Sequence, residues 1–312
     1  MTLSLTTLDG TPASRLAFGT MQFGGRADAI ASRAMFDACI QAGITHFDTA
    51  NLYTGGQSEK LLGSFIRDRR DTVLLATKVA YAGGAGKENI LKSFDVSRQR
   101  LNVDVADILY LHRYDPDTDL HETLECLAEL KNAGKIRYVG LSNCAAWQAV
   151  KMIGVAAKFG INVDVIQPMY NLVKRQAEVE ILPMCADMGV ACVPYSPLGG
   201  GLLTGKYING GQGRLTEDDR YAARYSPDWM HRTAQNLEKI AAEIECDPAT
   251  LAVAWAAAHH TSPMPIISAR SVEQLIPSLA AMTFEMTDEI YVKVTALSPT
   301  PPPATDRIEE QL

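Results

Sequence analysis

Eight short apolar runs recur along this chain, each separated from the next by a stretch with helical spacing, and no other feature limits the fold as tightly. The strand-like runs fall at 17–21, 45–48, 73–78, 107–112, 137–142, 163–167, 190–195 and 265–268. Each is apolar along its length, as a strand inside a core must be. The clearest helix between them spans 120–133, where Leu120, Leu124, Leu127 and Leu130 share one face, Asp119 supplies an N-cap and Gly134 a stop. Another is expected to start on Ser58 as its cap and to bury Leu61, Leu62, Phe65 and Ile66. Eight strand and helix units over roughly 250 residues predict a closed (β/α)8 TIM barrel rather than an open doubly wound sheet. An open dinucleotide-binding sheet would carry GxGxxG after its first strand, and LAFGTMQFGG lacks that spacing.

The remaining segments are read as additions to one barrel domain covering residues 1–312. LSLTTL, a turn at Asp9-Gly10 and a return through Arg15 to Phe18 predict an N-terminal hairpin cap. Between Tyr195 and Ser268 lie 73 residues, far more than one unit, so a long insertion is expected there. Residues 208–230 are polar, rich in glycine at the start and without sustained periodicity, as an active-site loop would be. Helices at 229–245 and 248–259 should follow, and the prolines of SPTPPPATD predict an extended tail at 299–312.

Composition excludes several classes of function. A net charge of −7 without any run of Lys and Arg argues against a nucleic-acid surface and for a small-molecule partner. The six cysteines form no CxxC pair or Cys/His ligand spacing, so neither a metal site nor a disulfide framework is suggested, and a cytoplasmic location is expected. No apolar run is long enough to span a bilayer.

Four polar residues interrupt this apolar pattern. Asp48, Lys78 and His112 end successive strand-like runs, 30 and 34 residues apart, and Tyr53 follows Asp48 closely. Taken singly, each has an ordinary reading: a helix cap, a snorkelling lysine, a structural histidine, a packed tyrosine. Together they sit at the carboxyl ends of consecutive strands, where barrels place their active sites. The chemistry is coherent. A phenol with a pKa near 10 needs a nearby positive charge to donate a proton at neutrality, and Lys78 would supply it to Tyr53. Asp48 would keep Lys78 charged, and a neutral His112 would donate a hydrogen bond that orients a carbonyl oxygen.

With these residues the chain resembles the aldo-keto reductase family, in particular its longer members, which include bacterial sugar and aldehyde reductases and potassium-channel β subunits. The motifs are GITHFDTANLYTGGQSEKLLG, ATKV, YLHR, GKIRYVGLSN, IQPMYN, PYSPLGGGLLTGKY and ISARSVEQL. The resemblance implies NADPH bound across the barrel mouth and reduction of an aldehyde or ketone. It makes Tyr53 the proton donor, Lys78 and Asp48 its tuning pair and His112 the carbonyl-orienting residue. It also implies that Ser142, Asn143 and Gln167 hold the nicotinamide carboxamide and that Tyr195 stacks on the ring. Ser196, Pro197, Leu198, Gly199 and Gly201 would form a belt over the pyrophosphate, with Lys206 adding charge. Ser268, Ala269 and Arg270 would take the 2′-phosphate, Gln274 and Ser278 would lie by the adenosine, and Gly19, Thr20 and Met21 would flank the cofactor with Asp48. One departure stands out: Pro277 and Ser278 replace an acidic residue and an Asn, which weakens the expected adenine contact.

The leading expectation is therefore an NADPH-dependent carbonyl reductase, with a sugar-derived or small aliphatic substrate whose pocket draws on Phe23, Tyr81, residues 113–119 and the insertion. The alternative is a cofactor-binding partner subunit with little turnover. The absence of an added N-terminal inactivation segment favours the first. Cys144, beside Asn143, has no neighbour in sequence that would activate its thiol.

Overall fold

The computed structural model describes residues 4–208 and 210–311. The first residues of the expected hairpin, 1–3, lie outside the described residues, as do Asn209 of the insertion and Leu312 of the tail. Eight parallel strands and the helices between them run in the order β1 (Ala17–Gly19), α1 (Ala29–Gln41), β2 (His46–Asp48), α2 (Gln57–Ile66), β3 (Leu74–Val79), α3 (Lys87–Leu101), β4 (Ala106–Leu111), α4 (Leu120–Asn132), β5 (Ile136–Ser142), α5 (Ala146–Ala156), β6 (Val165–Gln167), α6 (Ile181–Met188), β7 (Ala191–Cys192) and, after the insertion, β8 (Ile266–Ile267). Each strand pairs with its sequence neighbour, and β1 also pairs with β8. The ring closes between β7 and β8. There Met264 N donates to Cys192 O at 2.8 Å and Ile266 N to Pro194 O at 2.8 Å. Pro194 and Pro265 carry no N–H, which shortens β7 and β8 relative to the apolar runs in the sequence.

The barrel interior is filled by Ala17, Leu74, Ala76, Ile108, Tyr110, Val165, Ala191, Val193 and Ile266, with Leu5 plugging the amino-terminal end. Tyr110 fits only because Gly140 stands opposite: a Cβ there would lie 2.3 Å from the tyrosine ring. The expected hairpin reduces to one antiparallel bridge, Thr6 to Pro12, and Phe18 belongs to β1 instead. Asp119 caps α4 as expected, accepting from His121 N, and Gly134 follows its end with φ 68°.

Ser58 does not cap α2. It sits inside the first turn, buried, and its hydroxyl lies 2.7 Å from Thr20 Oγ1 and 2.9 Å from Thr49 Oγ1. The cap position belongs to Gly56, whose φ of 90° suits glycine. The stretch 208–230, expected as an irregular loop, folds two short helices, α7 (Arg214–Glu217) and α8 (Asp219–Arg224), and the two helices expected after it are α9 (Asp228–Glu243) and α10 (Pro248–Ala257). After β8 come α11 (Val272–Ala280) and α12 (Asp288–Thr295); residues 299–307 then run without helix or strand before a short 3-10 turn, Ile308–Gln311. No helix among the described residues is long and apolar enough to cross a membrane.

Candidate active site

The carboxyl ends of β2, β3 and β4 bring Asp48, Lys78 and His112 to one side of the barrel mouth, and a short turn after β2 adds Tyr53. Side chains alternate along a strand, so His46 and Asp48 point into the barrel, as do Ala76 and Lys78 on the next strand. Lys78 Nζ is fully buried and donates to Asp48 Oδ1 and to Thr49 O, the latter at 2.8 Å. It reaches the Tyr53 hydroxyl at 3.4 Å. The other Asp48 oxygen accepts from Gln167 Nε2 at 2.9 Å, which fixes the carboxylate from the far side of the barrel. The His112 ring stands edge-on to Tyr53 with centroids 6.0 Å apart, and its Nδ1 is buried without a partner.

Electrostatics correct one expectation. Burial is the largest influence on the Tyr53 phenol and raises its pKa; the Lys78 charge opposes this but Asp48 supports it, so the net shift is upward. The resting phenol is therefore held protonated rather than made more acidic. Burial alone would discharge Lys78, yet the Asp48 carboxylate and the hydrogen bonds to Asp48 and Tyr53 outweigh it and raise its pKa. His112 is lowered to about 3 by burial and by the Lys78 and Arg113 charges, so its imidazole is neutral at physiological pH.

The turn that carries Tyr53 is pinned by residues the sequence pattern did not single out. Thr54, with φ 48°, donates its hydroxyl to Phe23 O at 2.8 Å and accepts from Ser58 N at 3.0 Å. Arg100 donates to Asn51 O at 2.8 Å and to Glu59 Oε2 at 3.2 Å, while Glu59 Oε1 accepts from Thr77 Oγ1 at 2.8 Å. A Cβ on Gly56 would lie 2.4 Å from the Arg100 guanidinium carbon. The one available signal was Glu59 inside an otherwise amphipathic helix start. Ala80, Asn143 and Ser196, which follow β3, β5 and β7, also adopt left-handed backbone, at φ 60°, 54° and 62°. Strained non-glycine residues thus gather around this mouth.

On the opposite arc, Asn143 Nδ2 donates to His112 O at 2.9 Å and to Ser142 Oγ at 3.1 Å, and Tyr195 OH donates to Asn143 Oδ1 at 2.8 Å. Ser142 Oγ donates to Gln167 O at 3.2 Å. Gly199 and Gly201 have φ of 56° and 94° in the turn that follows Ser196, Pro197 and Leu198, and Lys206 folds back so that a Cβ on Gly201 would meet its Nζ at 2.9 Å. Ser268 Oγ is buried and unpartnered. Ala269 is buried beside it, and Gln274 is exposed, accepting from Arg270 N at 3.4 Å. Arg270 pairs with Glu217 of α7 at 2.9 Å, and Glu217 also meets Arg26 at 2.7 Å, so the insertion bridges the loops after β1 and β8. An unsatisfied hydroxyl, a left-handed glycine run and two cations fit a bound phosphate-bearing dinucleotide.

Two expected cofactor residues are placed otherwise. The Thr20 hydroxyl is buried and spent on Asp48 O, at 3.1 Å, and on Ser58. Ser278 is 1% exposed within α11, on the buried face it shares with Leu275, and the Pro277 carbonyl accepts from Thr250 Oγ1 at 2.6 Å. Burial also raises the Cys144 thiol to about 12, which removes it as a reactive thiolate.

Comparison with known proteins agrees with this geometry. The model of the aldo/keto reductase family matches residues 15–299. The chain is 32% identical to an uncharacterized oxidoreductase, YrpG, of Bacillus subtilis, over 94% of either chain. It is 30% identical to a probable voltage-gated potassium channel subunit beta of Oryza sativa subsp. japonica, over 95% of this chain and 96% of that one. It is also 30% identical to L-glyceraldehyde 3-phosphate reductase of Escherichia coli K12, over 86% of this chain and 83% of the relative. The chain belongs to the aldo/keto reductase family, oxidoreductases that act on carbonyl groups.

Proposed function

We propose that the protein uses NADPH to reduce an aldehyde or ketone to the alcohol, with Tyr53 as the proton donor. The observation that carries this reading is the Tyr53 hydroxyl 3.4 Å from the buried Lys78 ammonium and beside a neutral His112. When bound, NADPH supplies a hydride to the carbonyl carbon. The side chains do the rest. His112 donates an N–H to the carbonyl oxygen and holds it by the phenol. As negative charge builds on that oxygen, Tyr53 yields its proton, because a developing alkoxide is a far stronger base than a phenolate. Lys78, kept charged by Asp48, stabilises the phenolate left behind. Gln167 holds Asp48 in place for this, and so does double duty if its amide oxygen also meets the nicotinamide with Ser142, Asn143 and Tyr195. Gly199, Gly201 and Lys206 suit the pyrophosphate, and Ser268 with Arg270 suits the 2′-phosphate, once Arg270 exchanges Glu217 for it.

The name of the Escherichia coli relative supports a small sugar-derived carbonyl among the substrates. The potassium-channel relative favours a second reading, a cofactor-binding partner subunit with little turnover. Steady oxidation of NADPH with a panel of aldehydes, aldoses and keto-sugars decides between them. Turnover supports the reductase; tight NADPH binding without turnover on any of them overturns it in favour of the partner subunit.

A further inference from the structure

The geometry points to an anionic carbonyl compound as the substrate class, with Arg113 as the residue that selects it; this rests on the reductase reading above. Arg113 directly follows His112, and its guanidinium lies over the Tyr81 ring at 5.1 Å, while that ring packs edge-on against His112 at 5.0 Å. A cation is thereby held two ring spacings from the imidazole that faces the carbonyl oxygen. It has no ion-pair partner among the described residues. On its own loop Asp115 is committed by hydrogen bonds, accepting from Ala85 N at 2.7 Å, Thr118 Oγ1 at 2.6 Å and Asp117 N at 3.0 Å while still feeling the Arg113 charge, and the exposed Asp117 forms no ion pair with Arg113.

Helix α8 of the insertion repeats the pattern. Asp218 is taken by Arg220 at 2.9 Å, whereas Arg224, resting over Tyr221 at 5.1 Å, meets no carboxylate. Each of these guanidinium groups is a point of positive potential in a chain of net charge −7. Such a field draws anions inward and strengthens a planar, bidentate contact with carboxylate or phosphate. The cofactor does not account for Arg113. Its candidate residues lie at the ends of β1, β2, β5, β6, β7 and β8, while Tyr81 and Arg113 follow β3 and β4.

The test uses two aldehydes of matched shape with the full chain and NADPH: para-carboxybenzaldehyde, an anion, and para-carbamoylbenzaldehyde, which is neutral. Wild type should favour the anion in kcat/KM by about tenfold, the low end for a charge-assisted contact at a half-open site. Arg113→Met should bring that ratio near one, Arg113→Lys should keep part of it, and Arg224→Met should change it less. Calorimetric binding of the two product alcohols in the presence of cofactor should show the same order without any turnover. A wild-type ratio near one, a ratio unchanged in Arg113→Met, or a loss confined to Arg224→Met overturns the assignment. If neither aldehyde is reduced, the calorimetry still decides whether Arg113 holds an anion, and the wider carbonyl panel decides the reductase reading separately.

Discussion

Two buried carboxylates at opposite ends of the barrel are built on different plans. Asp107, at the amino-terminal end of β4, accepts from Arg70 at 2.8 Å, from Arg137 at 2.7 Å and from Leu75 N at 2.8 Å. Both partners are arginines, which do not give up protons, and the network is closed on itself. Asp48, at the carboxyl end of β2, is paired with a lysine instead. That lysine also reaches Tyr53, and close by stand an unpartnered His112 Nδ1 and an unpartnered Tyr110 hydroxyl. A buried ion pair whose cation extends to a third, titratable group is poised for chemistry; one whose every oxygen is met by fixed donors only holds strands together.

The division is broken or sharpened first at Tyr53. Tyr53→Phe should lower kcat by about 10²–10⁴, the range for loss of a general acid, while NADPH affinity and the thermal midpoint stay near wild type. Steady-state kinetics, cofactor fluorescence titration and thermal unfolding measure all three, and near-normal turnover would remove the phenol from the reaction. At the other end, Asp107→Asn should lower stability by about 3 kcal/mol, because two guanidinium groups lose their partner, and leave kcat nearly unchanged in the folded fraction. Denaturant unfolding with parallel kinetics checks this. An activity loss without a stability loss would mean the two ends are coupled after all.

Much of the open end was legible in the sequence because a charged or titratable residue stands out against an apolar run. Asp48, Lys78 and His112 announce themselves that way, and the eight runs gave the barrel. The closed end was not legible. Arg70, Asp107 and Arg137 look like ordinary charges near strand starts, and only the register of β3, β4 and β5 brings them together. Ser58 read as a cap because its type fits one, yet tertiary bonds to Thr20 and Thr49 claim its hydroxyl. The upward shift of Tyr53 was hidden for another reason: desolvation depends on what covers a group, and sequence spacing carries no such information. Likewise α7 and α8, at four and six residues, are too short to leave a periodic trace.

His46 tests whether the open half extends below the candidate site residues. It lies two residues before Asp48 on the inward face, wholly buried, with neither ring nitrogen partnered, and its pKa is lowered to about 3 by burial and the Lys78 charge. Between that value and the ordinary one of 6.5 the unfolded chain binds a proton that the folded chain does not. Stability is therefore complete above the ordinary value and falls as pH drops toward the lower one, by at most about 1.4 kcal/mol per pH unit from this residue. His46→Leu should flatten that slope in denaturant unfolding at a series of pH values. An unchanged slope would assign the loss to His112 and His259, which are lowered to about 3 and 4.

The smallest effect on stability belongs to Arg270, whose pair with Glu217 is solvent-screened and a third exposed on either side. Its consequence for binding should be larger. In the structure Glu217 accepts from both Arg26 and Arg270, and Arg270 lowers the Glu217 pKa chiefly through its hydrogen bond, so the carboxylate is a full competitor for any phosphate. Arg270→Ala should weaken NADPH by about tenfold and leave NADH nearly unchanged, because the two cofactors differ only in the 2′-phosphate. Glu217→Gln should act in the opposite direction on NADPH by freeing the guanidinium, and should do so most at low salt. Dissociation constants of both cofactors for the three proteins check this. Equal losses for NADPH and NADH in Arg270→Ala would make the arginine part of the clasp that holds the insertion, and would leave Lys206 and Ser268 to recognise the phosphate.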